Sequence, residues 1–169
     1  MNRSLGKKIE NVEAMCEFVL AGKAWFAIKS LKTGTVFQYK VTAAKSKINA
    51  PKAWWVKVLD EATENMSSPY RYIGGLYIFQ TNIPSFSQDK GIEVITNKNH
   101  PAFTILNHKI NTFKWFWERM CINALPQSLE FYHIGRCARC GHKLTDEQSI
   151  DRGFGPTCYK MIKEQYKNI

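Results

Sequence analysis

Apolar and polar residues alternate with period two through "AWFAIKSL" and "VFQYKVTA", placing Phe26 and Ile28, then Phe37, Tyr39 and Val41, on one face. The intervening "KTGT" supplies Gly34 for a turn, so this stretch reads as a β-hairpin. "AWWVKVL" (53–59) and "YRYIGGLYIFQ" (70–80) read as two further strands, separated by the polar run "DEATENMSSP". Gly74 and Gly75 inside the second predict a bulge or a close backbone approach. Adjacent strand residues point to opposite faces, so at least one of Trp54 and Trp55 has to look outward. Residues 81–100 read as loop with one short strand at 92–96.

Two stretches carry helical spacing instead. Residues 10–21 place Val12, Met15, Cys16, Val19 and Leu20 on one stripe, with Gly22 as a stop. Residues 110–125 do the same with Phe113, Phe116, Trp117, Met120, Cys121 and Ala124, and Pro126 marks the end. Trp115 lies off that stripe, which predicts cover on more than one side. "SLEFYHI" (128–134) then reads as a strand. The expected fold is α+β: an antiparallel β-meander/hairpin sheet with flanking helices, followed by a small treble-clef-like zinc finger. The expected division is an α+β domain over 1–128 and a zinc-binding module over 129–169.

Charge sharpens this picture. The chain of 169 residues carries a formal net charge of +10, and residues 1–60 supply most of it, with eleven Lys/Arg against four Asp/Glu. Such a balance favours an anionic partner, nucleic acid first. No apolar run approaches the roughly 20 residues of a membrane helix. The start "MNRSLGKKIE" has no apolar signal-peptide region, so the expected location is the cytoplasm. Five cysteines, an odd number, argue against a disulfide framework.

Cys16 and Cys121 fall on apolar helical stripes and are expected in the core. The other three belong to "HIGRCARCGHKLTDEQSIDRGFGPTCYK", residues 133–160. "CARCG" has the spacing that turns two thiolates onto one ion, with a glycine for the tight turn. Cys158 follows after seventeen residues and sits just past Pro156, a residue suited to a first helical position. A helix N-terminus stabilises a thiolate there. "TDEQ" offers a capping box, Thr145 to Gln148, for a short helix ending at Gly153. Structural zinc takes four ligands. His133, four residues before Cys137, is borne on a strand and can point back; His142, two residues after Cys140, is the alternative. The expected ligands of one structural Zn²⁺ are therefore His133, Cys137, Cys140 and Cys158.

Other chemistry fits less well. A redox Cys-x-x-Cys has no use for Cys158. Catalytic zinc would keep an open position and a general base, and neither Glu130 nor Glu147 sits in a His-x-Glu motif. His100 and His108 have no evident partner. No enzymatic activity is expected.

This tail resembles a family of uncharacterised small proteins of phages and mobile elements, whose C-terminal modules read much like "HxGRCxRCGRxLTxxxSIxxGxGPxC". In them a histidine occupies the place of His133, which implies a ligand there, while His142 replaces a usual arginine. "KAWFAIKSLKTGTVFQYKV", "WWVKVL", "YRYIGGLY" and "FKWFWERM" are similar to the family's upstream strands and helix. The resemblance implies a phage setting in the bacterial cytoplasm and a zinc finger, and no established activity.

The leading expectation for function is non-enzymatic nucleic-acid binding. The candidate contacts are Arg136, Arg139, Lys143 and Lys160 around the cysteine module, and Lys29, Lys40, Trp54, Trp55 and Lys57 on the strands. The alternative is a protein-interaction factor that diverts a host defence or transcription protein, and an enzyme of nucleic-acid metabolism ranks third.

Overall fold

The computed structural model describes residues 5–45, 53–61, 67–78, 83–89 and 101–167; the strand expected at 92–96 lies outside them. Seven antiparallel strands form one sheet: β1 (Lys8–Ile9), β2 (Lys23–Ser30), β3 (Val36–Ala43), β4 (Ala53–Leu59), β5 (Tyr70–Tyr77), β6 (Ser85–Gln88) and β7 (Leu129–His133). Their order is β1-β7-β2-β3-β4-β5-β6, so β2 to β6 run as a meander and β7 returns to lie between β1 and β2. Among the described residues four helices accompany them: α1 (Val12–Val19), α2 (Pro101–Cys121), α3 (Glu147–Arg152) and α4 (Pro156–Lys167). No helix among the described residues is long and apolar enough to cross a membrane.

The period-two pattern sorts the sheet into two faces. Phe26, Ile28, Tyr39, Val41, Val56, Val58 and Phe131 are buried on one. There α2 lays Phe113 and Phe116 against them, with Phe26 and Phe116 centroids 6.2 Å apart and Tyr39 and Phe113 5.3 Å apart. The opposite face carries Lys23, Trp25, Lys40, Trp55 and Lys57 at the alternate positions of β2, β3 and β4. Gly74 makes the close approach that its pair of glycines predicts: at φ 155° a Cβ there would run into the Ser87 carbonyl of β6. The pairing of β4 with β5 shifts register beside it, between Val56 and Lys57.

Several expectations are corrected. The boundary at 128/129 cuts through the sheet, because β7 is an interior strand that pairs with both β1 and β2. The cysteine module is thus built onto the main core. Helix α2 begins at Pro101 and stops at Cys121, before Pro126 is reached. Asn123 turns into the left-handed region at φ 52°, and the Ala124 amide donates back to the Arg119 carbonyl, which caps the helix. Trp115 is 39% exposed rather than covered. Phe18, off the predicted α1 stripe, is fully buried, and β6 occupies a stretch read as loop.

Trp54 and Trp55 divide as alternation requires. Trp55 is 39% exposed, whereas Trp54 is 5% exposed and its indole Nε1 donates to the Leu20 carbonyl at 3.0 Å. Trp54 is therefore a core residue, and its place among the nucleic-acid contacts is withdrawn. Trp54→Ala is expected to lose about 3–5 kcal/mol of stability in urea unfolding. Trp55→Ala should shift the midpoint far less, and equal losses would contradict the assignment of faces.

Candidate functional site

The cysteine module is a hairpin followed by two helices. Its hairpin closes as the Cys137 amide donates to the His142 carbonyl at 2.8 Å and the Gly141 amide to the Cys137 carbonyl at 2.8 Å, with Arg136 bridged to Lys143. Gly141 is required twice over: its φ is 81°, and a Cβ would come within 2.9 Å of the Trp25 ring. The Lys23 amide donates to the Ala138 carbonyl, fixing the hairpin to the start of β2. Asp146 is the cap of α3, accepting from the Ser149 amide at 2.9 Å, so the cap lies one residue beyond Thr145. Gly153 ends α3 in the left-handed conformation, as expected. Helix α4 starts at Pro156 and carries Cys158 in its first turn.

This folding brings the sulfurs of Cys137, Cys140 and Cys158 within 4.8 Å of one another. Burial opposes ionisation of Cys137, yet the backbone amides of Cys140, Gly155 and Arg139 turned on its sulfur hold the thiol below its ordinary range. Burial pushes Cys158 up to about 11, against the pull of Arg139, whose Nη1 lies 3.8 Å from its sulfur. Three thiols so close cannot all ionise unaided, whereas a divalent cation favours the thiolate at each. The donor set suits a soft tetrahedral ion, and these three cysteines could hold one. Cys16 and Cys121 stay outside the cluster, half-buried beside α1 and α2, with burial raising both thiols.

His133 does not join them. Its side chain is fully buried, and both ring nitrogens are taken by the backbone: Nδ1 accepts from the Gly135 amide at 3.0 Å, and Nε2 lies 2.5 Å from the Ile150 carbonyl. Those partners define the neutral tautomer protonated at Nε2, and burial holds the imidazole below its usual range. His133 is the clamp that ties the end of β7 to α3, and the expectation of a ligand at this position is corrected. The spacing misleads because a strand residue four before a knuckle cysteine can reach either the metal or the module's own carbonyls. His133→Ala orphans two part-buried backbone groups, at about 1–2 kcal/mol each, the lower part of the range for a buried group, and leaves the sulfurs untouched. A loss of about 2–4 kcal/mol in denaturant with metal stoichiometry unchanged is expected; loss of the metal at full stability would restore His133 as a ligand.

Outside the cysteines, the hairpin abuts the open face of the sheet. Arg136 stands 5.6 Å from the centre of the Trp25 ring, and Lys40 lies over the same ring at 4.5 Å. Lys57 pairs with Lys40 across β3 and β4. Burial and then the charges of Lys57, Lys23 and Arg136 draw the Lys40 pKa down. Among the described residues no carboxylate forms an ion pair with any of these four cations. Trp55 is flanked at 6.2 Å by the rings of Tyr72 and Tyr77.

The structure thus gathers Arg136, Lys40, Trp55 and Lys57 of the expected contacts and adds Lys23, Trp25, Tyr72 and Tyr77. Lys23 and Trp25 alternate with buried residues, a signal present in the period-two pattern, whereas Tyr72 and Tyr77 share the face only through the irregularity where β5 pairs with Val56 and Lys57. Lys29 sits apart, 3.9 Å from the Glu130 carboxylate. Arg139 faces the Cys158 sulfur, while Lys143 and Lys160 are exposed on the hairpin and on α4.

Fold and site together define an antiparallel-sheet protein with a three-cysteine cluster built onto the edge of a basic, aromatic face. The profile of DUF6011, a family of unknown function, matches residues 127–162, which span β7, the hairpin and most of α4. No curated protein and no solved structure matches the chain.

Proposed function

We propose that this chain is a zinc-braced, non-enzymatic protein that binds single-stranded nucleic acid, DNA or RNA, across the open face of its sheet. The observation that carries this reading is the placing of Lys40 and Arg136 at the Trp25 ring with Lys23 and Lys57 close enough to act on Lys40, beside an exposed Trp55 flanked by two tyrosines. Cations placed together without carboxylate partners repel one another and are relieved by an anion. A polynucleotide backbone supplies that charge, and each base supplies a flat ring for Trp55. Exposed rings on a sheet face stack on unpaired bases, which a duplex keeps inside its own stack.

Zinc acts here by position: bound to Cys137, Cys140 and Cys158, it fixes the hairpin that presents Arg136 to Trp25. The module's resemblance to phage and mobile-element proteins supports a setting in an infected bacterium, where single strands arise during replication and transcription. Titration of the full chain with single-stranded DNA, single-stranded RNA and duplex DNA tests the reading. Tight binding at low salt, preferring single strands and falling steeply as salt rises, is expected. Absence of binding to every polynucleotide at low salt would overturn it, the more so if nuclease-treated host lysate still yields a bound protein.

A further inference from the structure

Three sulfurs leave a tetrahedral ion one donor short. The helical half of the cluster repeats the spacing of the hairpin half, for Gly155 stands three residues before Cys158 as Cys137 stands before Cys140. Backbone at Gly155 is outside the left-handed region, a Cβ there would meet nothing within 4 Å, and its amide is already directed at the Cys137 sulfur. Room for a fourth thiolate therefore exists where the chain supplies no side chain. His133 is committed to Gly135 and Ile150. Among the described residues, no carboxylate joins the three sulfurs.

His142 remains. It lies on the return strand of the hairpin, exposed, with its backbone carbonyl bound to the Cys137 amide. Its Nδ1 is 3.2 Å from the Cys140 sulfur. Zn–S and Zn–N bonds of about 2.3 and 2.0–2.1 Å place an imidazole nitrogen roughly 3.5 Å from each sulfur of a tetrahedral site. One such separation is nearly met already. The ring stands outside the group whose donors all lie within 4.8 Å of one another, so its side chain has to turn for Nδ1 to reach the other two sulfurs.

We infer that His142 Nδ1 is the fourth ligand, closing a Cys₃His centre whose fourth place in a thiolate-only version would belong to residue 155. This rests on the metal-binding reading of the cysteines. It also deepens that reading, since a closed centre leaves no position for a reacting water.

Cobalt(II) serves as the probe, added to the full-length metal-free chain. The wild-type chain should give tetrahedral bands of a three-sulfur, one-nitrogen site. His142→Arg should weaken cobalt binding at least about 100-fold, at or beyond the top of the 10–100-fold range of outer-shell changes, and should shift those bands. Adding Gly155→Cys to His142→Arg should restore tight tetrahedral binding with stronger sulfur-to-metal charge transfer. In the wild-type chain loaded with ¹¹³Cd, the His142 ring should show scalar coupling to the metal through Nδ1. His142→Arg with unchanged affinity and bands, or a cadmium-loaded chain without that coupling, would overturn the assignment. A wild-type chain that binds no cobalt would instead defeat the metal reading itself.

Discussion

Cys137→Ser is expected to abolish tight zinc binding and to unfold the tail from about residue 135 onward, while the sheet stays folded. Cys137 is fully buried, and the other two sulfurs lie within 4.8 Å of its own. Apparent binding energies for structural zinc are about 10–16 kcal/mol, and in such modules binding is inseparable from folding. Few apolar side chains of the tail are buried without the metal: Ala138, Leu144, Phe154 and Ile162 besides the cysteines themselves. That is too little to hold a hairpin and two helices in place. The sheet should survive because β7 is paired on both sides and α2 covers its core residues. Elemental analysis should find one zinc per wild-type chain and none in the variant. Amide exchange should become fast from 135 to 165 and stay slow in β2 to β5. Cys16→Ser and Cys121→Ser should keep one zinc, and dependence of the metal on either would overturn the division of the cysteines.

The second large effect is expected on the open face. Trp55→Ala should weaken binding of a single-stranded oligonucleotide by about 1–3 kcal/mol, roughly five- to 150-fold, as stacking of one base is lost. Lys40→Ala and Lys57→Ala should each lower affinity across sequences and reduce the log–log salt slope by about 0.7, the counterion share of one phosphate contact on a single strand. Lys29→Ala should do less, since Glu130 already partners that lysine. Because Trp55 is exposed and the lysines are half-buried at most, these variants should unfold at nearly the wild-type denaturant concentration. An undiminished affinity in Trp55→Ala combined with an unchanged slope in both lysine variants would remove the face from the account.

Local features of this fold were legible and distant ones were not. Alternation through 24–43 and 53–59 marks β2, β3 and β4, since the period of a half-buried strand is written in adjacent residues. Cys-x2-Cys-Gly and Pro156 before Cys158 likewise mark the hairpin and the start of α4 from neighbours alone. The insertion of β7 between β1 and β2 has no such mark, for it is decided by pairing between residues over a hundred positions apart. Two-residue β1 is too short for any period. His133 shows the limit most clearly: its type and spacing suit a ligand, and only the nearness of the Gly135 amide and the Ile150 carbonyl decides otherwise. Alternation requires at least one of Trp54 and Trp55 to face outward, but which of them does so depends on where α1 lies.

Nitrogen-15 spectra of the zinc-loaded full chain, recorded as a short single-stranded oligonucleotide is added, test the central claim most directly. The account predicts that the indole Nε1–H of Trp25 and Trp55 and the amides around Lys23, Lys40, Lys57, Tyr72 and Arg136 move first and furthest. Shifts confined to α2 or to the far side of α4, or a spectrum that does not change at low salt, would contradict it.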